Sequence, residues 1–468
     1  MSSWRAPTHV GGPRPTVAAD AEVPLSGWGN TGVSWATVRR PARVEEVAEL
    51  LSKRRGQLIA RGLGRSFGDA ALNAGGEVVD MTGLTGIEAL DLTHGHATVQ
   101  AGLSLDALLR FLVPLGWILP VTPGTRFVTV GGAIANDVHG KNHFARGSFC
   151  DHVRSFELLT PSRGVVIVDR RNDPDLFRAT SGGLGLTGFI LRATLELVRV
   201  ETTWMAAEVQ RAQDLDHLFD VMAADGVAYD HAVGWVDGTA RGANLGRAVV
   251  TLARPATVDD IPTRERASAR SLPTERSWNR LIGSTSGPLF RRAVPAMNEL
   301  RFRRAPQHRQ SRLVRLSSVL YPLDAIPGWN RLFGRSGLVQ YQFVVPSGGE
   351  HAVRSVLETL ATHGPPSFLT TLKRFREGRS LLSFPIAGWC LAVDVPAGHP
   401  GLGRTLDRFD ELVAEAGGRV YLAKDSRLRR DAFEAMYPDV AQWRSICDSV
   451  DPGQTMASDL ARRLGLKG

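Results

Sequence analysis

Three glycine-rich stretches hold the residues whose types and spacing can do chemistry. RGLGRSFGD, over 61–69, follows a strand-like run and spaces its glycines G-x-G-x-x-x-G. PGTRFVTVGGAIANDVHGKNH, over 123–143, holds four glycines, two histidines and two cations, too broken by glycine for a good helix and too long for a turn. GLGLTG, over 183–188, matches G-x-G-x-x-G. A dinucleotide loop of the Rossmann kind needs a strand before it and a helix after it, so that the helix N-terminus meets the pyrophosphate. Here a strand pattern follows, so that reading fails, and no Walker lysine pattern is present. Glycine lets backbone N–H groups approach phosphate oxygens and tolerates positive φ. Each loop alone reads as a tight turn; together they suit one long dinucleotide held without a Rossmann unit.

Composition narrows the other options. The three cysteines, Cys150, Cys390 and Cys447, are odd in number and far apart, and neither CxxC nor HExxH occurs, which speaks against a disulfide framework and a metal site. No run approaches a membrane span, and the N-terminus has no apolar signal-peptide core. The net charge of +9 is concentrated: between 264 and 315 thirteen arginines face only Glu265, Glu275 and Glu299. That stretch lacks clear periodicity and reads as a mobile, solvated insertion or a surface for anionic headgroups. No nucleic-acid motif accompanies it.

Elements must position these loops. Val44, Val47, Leu50 and Leu51 lie at helical spacing, with Glu45 and Glu46 in the first turn and cations at the end. QLIARG and HATVQAG read as strands, and SLDALLRFLVPLG as a helix capped by Ser104. Leu191, Ala193, Leu195 and Leu197 alternate with polar residues, which predicts a strand. LVQYQFVVP and GWCLAVDVP are further strands, and the alternation puts Gln340 and Gln342 on one face. HAVRSVLETLATHG, RTLDRFDELVAEAGG, RDAFEAMYPDVAQWRSICDSV and SDLARRLGL read as helices.

ARGLGRSFGD, PGTRFVTVGGAIANDVHGKNH, GSFCDHVRS and ATSGGLGLTG resemble, in order and spacing, the FAD-binding domain of the vanillyl-alcohol-oxidase-type (PCMH-type) flavoproteins. The likeness runs on through LSGWGNTG, VGWVDG, LVQYQFVVP, LSFPIAGW, YLAKDSR and MASDLARRL, and is nearest to the branch that oxidises a polyprenyl-phosphoryl ribose. It implies an α+β fold: a two-subdomain FAD-binding domain and a substrate domain with an antiparallel sheet and helices. The implied divisions are a disordered lead-in at 1–24, the FAD-binding domain at 25–203, and a substrate domain at 204–418 that includes the basic insertion of 264–315. A segment at 419–468 then returns to the FAD domain.

The resemblance also implies roles. The first loop carries Ala60, Arg61, Gly62, Leu63, Gly64, Arg65, Ser66, Phe67 and Gly68 onto FAD. The second carries Gly124, Thr129, Val130, Gly131, Gly132, Asn136, Asp137, Val138 and His139. Ile190 resembles an adenine-side contact, and Tyr421 a residue returning to the flavin. Arg65 stands where covalent relatives place a histidine, so FAD is expected to be non-covalent. Lys424, His139 and Tyr421 are the expected catalytic residues. Lys424 acts as a cation for the alkoxide or as the base, and the residues alone do not decide which. Lys141, Gln340, Gln342, Lys373, Cys390 and Trp235 are expected to bind substrate. Close relatives read G-W-N-x-C-V-D where this chain has GWCLAVD, so Cys390 replaces an asparagine and Ala392 a cysteine.

The implied activity is oxidation of the 2′-hydroxyl of a polyprenyl-phosphoryl-β-D-ribose to the 2′-keto sugar. That step is the first half of an epimerisation to the arabinose donor for cell-wall arabinan. The implied partners are a short-chain-type reductase, a quinone-like electron acceptor and an anionic membrane surface. The expected location is peripheral at the plasma membrane, on its cytoplasmic face, with the periplasmic side the other option. Two competing readings are an alditol or aldonolactone-type oxidase, whose C-terminal H-W element is missing here, and a non-catalytic anionic-lipid-binding protein of the same fold.

Overall fold

The computed structural model describes residues 21–224, 228–272 and 288–467. Three main sheets organise the chain. In the first, strands Glu22–Leu25, Ser34–Arg39, Glu77–Asp80 and Leu58–Arg61 lie side by side, the outer pair antiparallel and the rest parallel. Helix Val44–Ser52 buries Val44, Val47 and Leu51 against this sheet, with Glu45 and Glu46 in its first turn as expected. It ends before Lys53, so the expected terminal cations fall outside it. The second sheet has five antiparallel strands, among them Phe189–Glu196, whose Leu191, Ala193 and Leu195 are buried. Ser104 does cap helix Leu105–Leu112, accepting from Ala107 N at 3.1 Å.

The third sheet has eight strands, running in space from Gln310–Arg315 at one edge to Arg419–Val420 at the other. Its register pairs Trp235 with Thr371, Lys373 with Cys390, Ala392 with Gln342, and Asp394 with Gln340. Side chains alternate along a strand. The pairing therefore collects Val233, Trp235, Thr371, Lys373, Gln340, Gln342 and Asp394 on one face. The other face, with Tyr341, Phe343, Val345 and Val393, buries itself under helices Leu215–Ala224, Glu350–His363 and Leu402–Glu415.

After Val420 the chain leaves this sheet and returns to the first one. Phe67 N donates to Ala423 O at 2.9 Å, Leu58 N to Thr455 O at 2.8 Å, and Ala457 N to Leu58 O at 2.9 Å. Arg419–Val420 itself pairs with Val344 and Phe343, so the return to the first sheet follows this short strand.

Several expectations need correction. The second glycine stretch contains a short helix, Val130–Ala135, capped by Thr129. Its Gly131 permits close packing: a Cβ there would lie 3.0 Å from the Ala101 Cβ. The run expected as one helix near the end is two, Arg430–Met436 and Val440–Val450, broken at Pro438, which has no N–H to continue the ladder. Glu22–Leu25, within the expected lead-in, is a strand; the residues before position 21 lie outside the described ones. After residue 287 the basic stretch is built into the fold. Helix Pro288–Arg304 buries Val294, Asn298 and Phe302, and Gln310–Arg315 pairs with Trp204–Ala212. Its central part, 273–287, lies outside the described residues.

Candidate active site

A cavity of about 310 Å³ runs between the glycine loops and the polar face of the eight-stranded sheet. All of the first-loop candidates, Ala60 through Gly68, line it. Among the described residues, the N–H groups of Leu63, Gly64, Arg65 and Ser66 have no acceptor within the chain. Gly64 has φ +64°, a conformation that turns successive N–H groups to one side. A Cβ on Gly62 would meet Thr129 Oγ1 at 2.2 Å, so this loop presses directly on the second one. Arg65 lies 3.8 Å from the Trp28 ring centroid; its Nε is buried without a partner, and burial pushes its pKa down.

From the second stretch, Gly124, Thr129, Gly131, Gly132, Asn136, Val138, His139 and Lys141 reach the cavity wall. Gly131 and Gly132 do not offer N–H groups to a ligand, since these donate to Ala101 O at 2.8 Å and Thr129 Oγ1 at 3.1 Å. Asn136 Oδ1 and His139 Nδ1 are buried with no partner. The third loop contributes Leu184, Gly185 and Gly188, and the strand after it Ile190. Unpartnered N–H groups, two orphaned polar atoms and converging glycines form a cradle that fits FAD.

Gln342 Nε2 donates to His139 Nε2 at 2.8 Å, leaving the imidazole proton on Nδ1. Burial, then Lys373, holds the His139 pKa well below its ordinary value, so the ring is neutral. Phe375, Phe384 and Tyr421 enclose it, with centroids 4.8, 5.5 and 5.0 Å away. Tyr421 is anchored at both ends: its OH donates to Asn136 O at 2.8 Å, and its N–H to Gln342 O at 2.9 Å.

Three lysines share the cavity. Lys141 donates to Leu320 O at 2.9 Å, and burial pushes its pKa down to about 7. Lys424 lies 3.8 Å from the Phe67 ring centroid, and burial brings it to about 7 as well. Lys373, lowered by burial, depresses both of the others. A half-buried trio of lysines attracts an anionic or incipiently anionic ligand, and the lowered pKa of Lys141 and of Lys424 makes each a better proton acceptor than an ordinary lysine.

Four expected site residues do not reach the wall. Val130 is fully buried beneath its own short helix. Asp137, at φ +38°, accepts from Cys150 N at 3.1 Å and Ser380 Oγ at 3.4 Å, tying loops together behind the cavity. The Trp235 indole donates to Phe368 O at 3.0 Å, with Arg301 stacked 4.4 Å from it. Cys390 is fully buried among Phe375, Phe384 and Tyr421, and Gln342 Nε2 lies 3.3 Å from its sulfur. Ala392, two residues on, lines the cavity in its place.

Sequence reasoning missed Trp28, Asp324 and Tyr321. Tyr321 OH donates to Thr122 Oγ1 at 2.8 Å beside the cavity, and no local motif marks it. It also missed Asp394, which the alternation Cys390, Ala392, Asp394 would have placed on the polar face.

The sequence comparisons agree with this geometry. A family model described as an FAD binding domain matches residues 35–169. The chain is 39% identical over 450 residues to the decaprenylphosphoryl-β-D-ribose oxidase of Mycolicibacterium smegmatis, covering 94% of this chain and 97% of that one. The chain belongs to the decaprenylphosphoryl-β-D-ribose oxidase family. It is also 41% identical over 372 residues to an uncharacterised protein in the mprA 5′ region of Streptomyces coelicolor, covering 78% of this chain and all of that one. Likeness to mitochondrial L-galactono-1,4-lactone dehydrogenase 2 of Oryza sativa subsp. japonica, 32% identity, spans only 36% of this chain and 27% of that one. Members of this family are FAD-dependent oxidoreductases acting on a CH–OH group, and this chain is one, with the α+β fold that the resemblance implied.

Proposed function

We propose that this enzyme oxidises the 2′-hydroxyl of a polyprenyl-phosphoryl-β-D-ribose to the 2′-keto sugar, with FAD held non-covalently. The observation that carries the reading is the meeting of the flavin cradle and three half-buried lysines in one cavity, in a chain that matches a decaprenylphosphoryl-ribose oxidase over nearly its full length. Bound FAD supplies the hydride acceptor. Lys424 takes the hydroxyl proton, for which a pKa near 7 suits it. Lys141 and Lys373 hold the substrate phosphate, and Gln340 and Gln342 orient the sugar hydroxyls. Neutral His139, its Nδ1 buried without a partner in the chain, does not compete for the proton. Anaerobic mixing of the holoenzyme with a panel of free sugars and polyprenyl-phosphoryl sugars tests the reading, since only true substrates bleach the flavin.

A keto product calls for a reductase partner, of the short-chain type, to complete the epimerisation to arabinose, and a quinone-like acceptor to reoxidise the flavin. A lipid-borne substrate suits an enzyme docked at an anionic surface of the plasma membrane, with the cytoplasmic face the expected side and the periplasmic side the other option. No helix among the described residues is long and apolar enough to cross a membrane. What supports peripheral docking is helix Pro288–Arg304, whose Met297 and Leu300 are each 49% exposed beside Arg303 and Arg304.

A further inference from the structure

Arg463 lies on the last helix, Asp459–Leu464, outside the cavity, and its side-chain hydrogen bonds all go to the first flavin loop and to the segment after Tyr421. The guanidinium grips both oxygens of Asp69, Nε to Oδ2 at 3.0 Å and Nη2 to Oδ1 at 2.9 Å. Nη2 also donates to Asp425 Oδ2 at 2.9 Å, and Nη1 to Leu428 O at 2.7 Å. Asp69 ends the first loop, and Asp425 directly follows Lys424. The second oxygen of Asp425 accepts from Arg427 N at 2.9 Å and Leu428 N at 2.8 Å, which fixes the turn. A planar fork can hold two carboxylates at set angles, where an ammonium offers only a point charge. Lys424 depends on that turn. Among the described residues its Nζ has no hydrogen bond; it lies over the Phe67 ring, 3.8 Å from the centroid. Its backbone N–H donates to Tyr421 O at 2.9 Å, and Ala423 O accepts from Phe67 N at 2.9 Å. The place of the amine in the cavity is therefore set by the backbone, and Arg463 ties that backbone to the first loop.

We propose that Arg463 is a positioning residue that couples the placement of Lys424 to the binding of FAD. The first loop offers its unpartnered N–H groups to the cofactor, and ordering that loop orders Asp69. Through the fork, the order passes to Asp425 and so to Lys424. Coupling is reciprocal, so a turn loosened from Arg463 also weakens the hold on FAD. Arg463 touches no reacting atom. The coupling stands on the flavin cradle alone, while its effect on turnover rests on the proposed role of Lys424 as the group that takes the hydroxyl proton.

Amide hydrogen exchange of the holoprotein at saturating FAD, read by mass spectrometry, tests the coupling without any sugar. In Arg463→Gln the peptide spanning 421–428 is expected to exchange about fivefold faster or more than in wild type. The peptide spanning 189–196, in the five-stranded sheet, is expected to be unchanged. Anaerobic flavin reduction by polyprenyl-phosphoryl ribose then separates positioning from binding. The reduction rate at saturating sugar is expected to fall about tenfold or more. The half-saturating concentration changes little, because Lys141, Lys373 and Gln342 stand on other segments. Arg463→Lys keeps a charge without the fork, is expected to move both readings the same way, and serves if Arg463→Gln does not fold. Unchanged exchange at 421–428, or exchange quickened equally along the whole chain, overturns the proposal. So does an unchanged saturating rate where the sugar reduces the wild-type flavin. If the sugar leaves the wild-type flavin oxidised yet exchange at 421–428 quickens, the functional reading fails and the coupling through Arg463 stands.

Discussion

Gly68 and Asp425 are packed so closely that a Cβ on the glycine would lie 1.9 Å from the aspartate carbonyl oxygen. This contact presses the C-terminal segment carrying Tyr421 and Lys424 onto the first flavin loop. Backbone on backbone leaves nothing flexible to yield. Gly68→Ala is expected to cost about 2 kcal/mol or more and to lose FAD on gel filtration. Gly56→Ala, where no heavy atom lies within 4 Å of the added Cβ, retains FAD and serves as the control. Full flavin retention by Gly68→Ala would show that this contact does not hold the site together.

His143 makes stability depend on pH. Arg376 N donates to its Nδ1 at 3.3 Å, and Nε2 pairs with Ser148 Oγ at 3.2 Å, so the buried ring is neutral. Burial lowers its pKa from 6.5 to about 3. The folded state then binds fewer protons than the unfolded chain below pH 6.5, so this contribution is complete above that pH and is lost as pH falls towards 3. Near pH 5 the loss is about 2 kcal/mol. His143→Gln should therefore narrow the difference in unfolding midpoint between pH 7 and pH 5. An unchanged difference would mean that the ring is not held neutral.

Arg65 stacks on Trp28 in the place where covalent relatives carry a histidine, and arginine cannot form that flavin linkage. Acid precipitation is expected to release all of the yellow colour into the supernatant. Flavin that stays with the pellet would contradict non-covalent binding.

The basic flank of the substrate domain should bind vesicles. Arg264, Arg304 and Arg312 are exposed, and near an anionic surface each contributes about 1 kcal/mol. Replacing all three by glutamine is expected to weaken co-sedimentation with anionic vesicles roughly a hundredfold, with no effect on neutral ones. Equal sedimentation of both proteins would remove this flank from the docking surface.

Much of the site was legible in the chain because it is written in local patterns. Alternation along LVQYQFVVP places Gln340 and Gln342 on one face, and both line the cavity. The glycine loops announced themselves by residue type. What local pattern does not carry is long-range pairing. Asp394 meets Gln340, 54 positions away, only because the sheet pairs their strands, and Arg65 owes its setting to Trp28. Helix Pro288–Arg304 escaped notice because its buried stripe runs Val294, Asn298, Phe302, with a polar residue in the middle and Pro295 inside the helix. The fit of Gly131 against Ala101 likewise turned an apparent loop into a helix.

The reaction proposed for the cavity is oxidation of the 2′-hydroxyl of a lipid-phosphate ribose. The most direct measurement is anaerobic mixing of the holoenzyme with polyprenyl-phosphoryl ribose and, separately, with its 2′-deoxy analogue, following oxidised-flavin absorbance. The ribose compound is expected to bleach the flavin, and the deoxy compound to bind without bleaching it. Bleaching by both, or by neither, would contradict it.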